Sequence, residues 1–247
     1  MARSRRTLGL LAGAAVVILV VAGFGVWWFL IRDDAPEAAN IEAAGETLDQ
    51  QSESPGSSSQ AGGDVDGSWT VDTSVGTFED FTGTWAGYRV EEELARVGSH
   101  TAVGRTPDVT GTMTVEGGQV TGVDVQVDLT TLKSDSGTRD GALSSRGLES
   151  ERFPTATFTL SQPLSVPQGV ADGQQASTRA TGELTIHGVT KEVTVDIDTK
   201  LSNGKAAVVG NAPLKLTDFG IEPPTGFSVL SIKDEGAFEF QIFFAKQ

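Results

Sequence analysis

The chain has 247 residues, no cysteine and two histidines, which excludes disulfides, thiolate metal sites and histidine-rich metal sites. All 33 Asp and Glu residues lie from Asp33 onward, so the part of the chain that follows is strongly acidic. An acidic protein repels phosphate backbones, and we therefore expect no binding to nucleic acid.

Residues 8–31 form a stretch of apolar and small side chains without a single charge. A transmembrane helix needs about 20 such residues, whereas the apolar region of a cleavable signal has roughly 7–15. Trp27 and Trp28 suit a membrane interface, and the arginines before the stretch favour a cytoplasmic N-terminus. We predict a cytoplasmic segment over residues 1–7 and a single-pass anchor in the cytoplasmic membrane over residues 8–31. A long signal peptide that is removed is the alternative.

Residues 32–66 are poor in large apolar side chains and rich in Ala, Glu, Gln, Ser and Gly. Such a composition buries too little apolar surface to offset the entropy lost on folding. We therefore predict a disordered linker here, which holds an extracytoplasmic domain away from the membrane.

Residues 67–247 carry short alternating patterns and are predicted to form one domain. A polar insert over residues 133–152 interrupts the alternation and is expected to hold one or two short helices. His100 is expected in an exposed loop. The predicted strands lie in residues 67–72, 84–94, 109–115, 123–129, 156–160, 178–187, 189–201, 206–216 and 236–246.

The clearest element is the hairpin GELTIHGVTKEVTVDI over residues 182–197. Leu184 and Ile186 share one face of its first strand, and Val193 and Val195 share one face of its second. Gly188 lies between the strands, where the chain reverses, and His187 is predicted as an outward turn residue.

Eight or nine strands with short connections and no alternation with helices predict an antiparallel sheet. Regular alternation with frequent turns is typical of a sandwich or a barrel. A closed barrel of eight strands has room inside for packed side chains or for one small ligand. Both a filled interior and a ligand cavity are compatible with this pattern.

Several segments together resemble the YceI-like family. The segment from Asp128 to Thr159 contains Thr138-Arg139-Asp140 and the element Phe153-Pro154-Thr155-Ala156-Thr157-Phe158. The hairpin above, GSWTVD at residues 67–72 and DFGI at residues 218–221 are similar to further family motifs. Two features depart from the pattern: the His-Ser pair expected before the second strand is missing, and Ala142 stands where the family has histidine.

The resemblance implies an all-β, lipocalin-like, antiparallel eight-stranded barrel with a short helical insert, here preceded by one transmembrane helix. It implies an apolar cavity that binds an amphipathic lipid such as an isoprenoid quinone or another polyisoprenoid, with no obligatory cofactor. Arg139 and Asp140 are candidates for the cavity mouth, although local capping and pairing would also explain them. The candidates for the interior are Tyr88, Val90, Met113, Val125, Val127, Phe153, Phe158, Leu184, Ile186, Val193, Val195, Phe219, Phe238 and Phe240.

We therefore expect a membrane-anchored extracytoplasmic protein that holds an isoprenoid or fatty-acyl chain for sequestration or transport. The alternative is a filled barrel that serves as a protein-interaction module at the cell envelope. Ser144 and Ser145 lack a nucleophile-elbow context, and no glycine-rich phosphate loop precedes a helix, so we expect no enzyme. Pairing of two subunits is a further expectation from the family.

Overall fold

The computed structural model describes residues 35–52, 64–96, 98–226 and 228–247. Two α-helices occur there, α1 (Ile41–Ser52) and α2 (Gly137–Ser145), together with short 3₁₀ turns. The strands are β1 (Gly67–Val71), β2 (Trp85–Leu94), β3 (Gly98–Thr106), β4 (Val109–Glu116), β5 (Gln119–Asp128), β6 (Lys133–Ser134), β7 (Thr155–Leu160), β8 (Leu164–Ser165), β9 (Ala176–Ile186), β10 (Val189–Ser202), β11 (Lys205–Lys215) and β12 (Val229–Lys246).

Eight strands close into an antiparallel barrel in the order β1-β4-β5-β7-β9-β10-β11-β12, and β12 returns to pair with β1. Alternate residues of each strand point inward, so the apolar stripes of the sequence meet inside the ring. The predicted eight-stranded barrel with a short helical insert is confirmed. The insert is α2, whose start is capped by the Ser136 hydroxyl, which accepts a hydrogen bond from the Arg139 amide at 3.4 Å.

An arm of sheet extends from one side of the barrel. β12 begins at Val229 rather than at the predicted residue 236, and it pairs with β2 between Val229 and Gln241. β2 pairs in turn with β3, and β3 pairs with β6. The prediction of an exposed loop around His100 is wrong, since His100 lies in β3 opposite Glu92. The strand β3 lies outside the closed ring and does not face its interior, so it needs few large apolar residues.

The hairpin over residues 182–197 is formed by β9 and β10. Ile186 pairs with Val189, which leaves His187 and Gly188 as a two-residue turn. Both turn residues have positive φ angles, 55° and 72°. A type I′ turn, whose twist matches that of the flanking strands, requires this at both of its central residues. Asn203 and Gly204, with φ angles of 53° and 72°, make the corresponding turn between β10 and β11.

These two turns allow a matched test of local strain. We expect Gly188→Ala to destabilise the protein more than Gly204→Ala, although both glycines have a φ angle of 72°. A Cβ atom at Gly188 would lie 2.9 Å from the Phe153 ring, whereas one at Gly204 would meet nothing within 4 Å. The left-handed backbone should cost each variant about 1–2 kcal/mol, and crowding should cost Gly188→Ala roughly 1 kcal/mol more. Urea unfolding of both variants measures the difference, and equal losses would contradict it.

The prediction of a disordered linker over residues 32–66 is wrong for its central part, which contains α1. Asn40 caps this helix through a hydrogen bond from the Ala43 amide to its side chain at 3.1 Å. Ile41, Ala44 and Leu48 recur at helical spacing and are 6%, 0% and 2% exposed. They pack on the outer wall of the barrel against Val75, Ala207, Val209 and Phe243.

A buried ionic cluster holds the segment that leads into α1. Glu239 of β12 is fully buried and accepts hydrogen bonds from Arg89 Nε at 3.1 Å and Arg105 Nη2 at 3.0 Å. Arg89 Nη2 also donates to the Pro36 carbonyl at 2.6 Å, and Arg105 donates to the Glu37 carbonyl. Each buried charge therefore has partners, and two of those partners come from the N-terminal segment.

Two aromatic rings complete the surroundings of Arg105. Its guanidinium carbon lies 3.8 Å from the Trp85 ring centroid and 4.6 Å from that of Phe81. Burial lowers the pKa of Arg105, although the bond to Glu239 opposes this effect. The cluster therefore depends on Glu239 to compensate an arginine that is almost entirely removed from water.

Within the described ranges, no helix has the length and apolar character needed to cross a bilayer. The predicted cytoplasmic segment at residues 1–7 and the predicted anchor at residues 8–31 lie outside the described residues. The same holds for residues 32–34 and 53–63 of the predicted linker.

Candidate functional site

The barrel encloses a first chamber of about 140 Å³. Its walls are apolar apart from Thr178 and Thr199. Nine of the candidate residues line this chamber, although the sequence cannot show whether they leave space between them. These nine are Met113, Val125, Val127, Phe158, Leu184, Val193, Val195, Phe238 and Phe240.

A second chamber of about 80 Å³ lies toward α2 and the arm. Tyr88, Val90 and Ile186 line it, as predicted for the interior, together with Leu143 and Leu148 from the insert. Its walls are apolar apart from Tyr88 and Arg89. The insert therefore supplies apolar side chains to the cavity, which its polar composition did not indicate.

The two chambers meet at a shared wall made by Val127 and Phe238, which line both. The rings of Phe238 and Phe240 lie 6.2 Å apart at a 44° tilt, so they do not stack face to face across the space. An apolar space of this kind excludes water and loses dispersion contacts when it is empty. The interior is therefore hollow on both sides of Phe238.

Phe153 and Phe219 were predicted to line the interior, and they line neither chamber. Phe153 instead contacts the ring of His187 at a centroid distance of 4.5 Å and covers the β9–β10 turn. Phe219 lies in a 3₁₀ turn, where its side chain is buried and its carbonyl lies 3.2 Å from Nδ1 of His187. Both rings belong to motifs outside the predicted strands, where inward and outward alternation cannot show which way a side chain points.

Tyr88 contributes the one phenol of the second chamber. Its ring packs across Gly104 on the neighbouring strand, where a Cβ atom would lie 2.3 Å from the ring. The Tyr88 hydroxyl is buried and forms no hydrogen bond with any described residue. Burial raises the pKa of Tyr88 far above its ordinary value, so the hydroxyl keeps its proton. It is a neutral donor without an acceptor beside an apolar chamber.

Arg139 lies near this end of the cavity and binds Glu92 and Asp135. Glu92 is in phase with Tyr88 and Val90 along β2, and its carboxylate lies 3.3 Å from Nδ1 of His100. Burial is the largest single effect on Arg139 and works against its charge, but the hydrogen bond to Glu92 and the negative charges of Glu92 and Asp135 together raise the pKa of Arg139. Sequence reasoning missed Glu92 and His100, although the alternation from Tyr88 to Glu92 was a usable signal.

Asp140 has a local structural contact. Its carboxylate accepts hydrogen bonds from the Ser134 amide at 3.0 Å and the Ser134 hydroxyl at 2.6 Å. These bonds fix the turn between β6 and α2. Arg139 and Asp140 therefore both have partners within the fold, which agrees with the local-pairing alternative for these two residues.

The geometry defines a class of protein: a closed antiparallel barrel of eight strands with a hollow, apolar interior. The family model of the YceI-like domain matches residues 57–244. The chain belongs to the YceI-like family.

Two sequence relatives agree with this assignment. A UPF0312 protein of Shewanella denitrificans is 29% identical over 154 residues, which cover 58% of this chain and 76% of that protein. A UPF0312 protein of Vibrio parahaemolyticus is 31% identical over 106 residues, which cover 40% of this chain and 52% of that protein.

The structural relatives share the fold at low sequence identity. A polyisoprenoid-binding domain from Saccharophagus degradans gives a TM-score of 0.54 at 17% identity, over 72% of this chain and 98% of that domain. BcnA of Burkholderia cenocepacia gives a TM-score of 0.51 at 18% identity, over 64% of this chain and 95% of that protein.

Proposed function

We propose that this protein holds an isoprenoid or fatty-acyl chain inside the barrel, outside the cytoplasmic membrane, for sequestration or transport of the lipid. The observation that carries the proposal is the pair of adjacent apolar chambers inside the barrel. An empty first chamber would cost about 3 kcal/mol, taking roughly 24 cal/mol per Å³ of cavity. A chain that fills it recovers this energy and gains about 0.8 kcal/mol for each methylene buried.

The polyisoprenoid-binding domain with the same fold supports this choice of ligand class. Within our proposal, the apolar chain occupies the first chamber and passes Phe238, and an oxygen atom of the head group accepts a hydrogen bond from Tyr88. The apolar stretch at residues 8–31 supports the further proposal that the protein is anchored in the membrane that supplies the lipid. The interaction-module alternative requires a filled interior, which the two chambers disfavour.

The test is mass spectrometry of lipids extracted from the purified full-length protein. We expect a chain lipid bound to the protein, and expect the delipidated protein to take up an isoprenoid quinone or a long-chain fatty acid. A barrel that is isolated empty and that also takes up neither lipid would overturn the proposal.

Tyr88→Phe removes only the unsatisfied hydroxyl. We expect it to weaken binding of a chain with an oxygen-bearing head group by about three- to tenfold, the value of one hydrogen bond. Binding of a matching hydrocarbon without oxygen should be unchanged, which makes that ligand the control. Titration of both ligands by isothermal calorimetry measures the effect. Equal losses for both ligands would show that Tyr88 acts by shape alone.

A further inference from the structure

The barrel wall has a gap between β10 and β11. These two strands, whose residues the structure describes throughout, stop pairing with each other at Asp196 and Asn211. Each nevertheless continues along its other neighbour, β10 along β9 to Val189 and β11 along β12 to Lys215. Pro213 follows the last pair in β11 and has no N–H group, which is typical of a place where a ladder ends. The two strands therefore diverge toward the end of the barrel that contains the second chamber.

The 3₁₀ turn after β11 closes this gap, and we refer to residues 216–221 as the gap turn. The Thr217 amide and hydroxyl donate to the Asp234 carboxylate of β12 at 2.9 and 2.8 Å. On the other side of the gap, Nδ1 of His187 in the β9–β10 turn donates to the Phe219 carbonyl at 3.2 Å. The gap turn therefore bridges the two diverging edges. The ring of Phe219, which is 2% exposed, packs between them.

A groove of about 510 Å³ lies on the outer surface over the gap. Phe219 lies at its base, since this residue lines the groove and is buried. Val193 lines both the groove and the first chamber, whereas Leu214 and Gly236 line both the groove and the second chamber. Gly236 has no side chain to thicken the wall. A single layer of residues therefore separates the outer groove from both chambers.

The two ends of the barrel are covered by larger elements than the gap is. Val166 and Val170, from the loop between β8 and β9, line the first chamber. Leu143 and Leu148, from the insert, line the second chamber. Opening either end requires displacement of one of these packed segments, whereas opening the gap requires only the release of a short turn that hydrogen bonds hold at two points.

Movement of the gap turn would open the second chamber to the groove, because Leu216 and Ile221 at the two ends of the turn line that chamber. Gly236, which lines both spaces, pairs with Val90, two residues from Tyr88. We propose that a chain lipid enters and leaves the barrel sideways, through the gap between β10 and β11, with the gap turn as its gate. This inference rests on the proposed function and deepens it. The apolar tail enters first and reaches the first chamber, and the head group stays in the second chamber near the Tyr88 hydroxyl.

A reversible lock tests the gate, because the chain has no cysteine of its own. T217C/D234C replaces two hydrogen bonds by a disulfide between side chains that are already in contact. T185C/T190C is the matched control, since these hydroxyls lie 2.8 Å apart on the β9–β10 hairpin, away from the gap turn.

Stopped-flow fluorescence follows uptake and release of parinaric acid, a fluorescent long-chain fatty acid, by the delipidated full-length protein. We expect oxidation of T217C/D234C to slow both processes by about tenfold or more, and reduction to restore them, because the disulfide prevents the turn from opening. Oxidation of T185C/T190C should change neither process.

A second pair of variants opens the gate instead of locking it. Asp234→Ala removes the hydrogen bonds from Thr217, whereas Asp124→Ala removes a surface bond from the Thr159 hydroxyl on another part of the wall. We expect Asp234→Ala to speed uptake and release by the same factor, about three- to thirtyfold for one or two hydrogen bonds, and to leave Kd unchanged. Asp124→Ala should change neither rate.

Equal exchange rates in oxidised and reduced T217C/D234C, with the disulfide verified by mass spectrometry, would overturn the gate and leave lipid binding intact. Exchange in Asp234→Ala that is no faster than in Asp124→Ala has the same meaning, and it decides the question if the two thiols do not oxidise. A protein that takes up no fatty acid in any of these forms refutes the proposed function and the gate together.

Discussion

Replacing Glu239 with glutamine is expected to destabilise the protein by about 3–5 kcal/mol, the usual cost of breaking a buried ion pair by removing one partner. The carboxylate is fully buried and binds both Arg89 and Arg105. The neutral amide leaves Arg105, which is 2% exposed, without its compensating charge. The two arginines also hold the carbonyls of Pro36 and Glu37, so we expect the N-terminal segment to loosen as well.

Urea unfolding measures the loss of stability, and hydrogen exchange of the α1 amides reports on the segment. The matched control is Asp196→Asn, which breaks the pair with Arg179 on the surface, where the side chains are 76% and 69% exposed. That control should lose far less stability, because water and salt screen an exposed ion pair. If Glu239→Gln and Asp196→Asn have equal effects, the buried cluster does not stabilise the fold as its geometry indicates.

Alternation allowed the barrel to be predicted, because most of the inward residues of a closed ring are apolar. Leu184, Val193 and Val195 were assigned to the interior on this basis, and all three line the first chamber. Alternation also implies that Val208 and Ile242 line it, since they are in phase with neighbours in their strands. The fold thus follows from local patterns repeated around the ring.

The elements that the sequence missed depend on partners far away in the chain. The helix α1 has only two large apolar residues on its buried face, Ile41 and Leu48, and its composition resembles that of a linker. It becomes ordered because the outer wall offers Phe243 and Val209 as partners. Glu92 lies in a run of three glutamates that suggests exposure, and only the fold brings Arg139 to it. Composition alone cannot predict such contacts.

Ala206 and Ala207 are adjacent in β11 and face opposite sides of the wall, which makes them a matched pair. Ala206 lines the first chamber, whereas Ala207 is 0% exposed and packs beneath α1. We expect Ala206→Leu to occupy part of the chamber and to weaken uptake of a chain lipid by about tenfold or more, since each displaced methylene is worth about 0.8 kcal/mol. Filling the space should raise the free energy of unfolding of the lipid-free protein by about 0.5–2 kcal/mol.

The effects of Ala207→Leu should be the reverse. Ala207 lines neither chamber and is fully buried beneath α1, so the larger side chain must displace α1 or Phe243, at a cost of about 1–3 kcal/mol in stability. Lipid uptake should stay close to that of the unchanged protein, because the chamber wall is not altered.

Quinone binding and urea unfolding, measured on both variants after delipidation, give the four values needed. If Ala206→Leu binds lipid as well as the unchanged protein does, the chain cannot lie in the first chamber. If Ala207→Leu loses binding instead, the lipid site must lie on the outer wall, beneath the N-terminal helix.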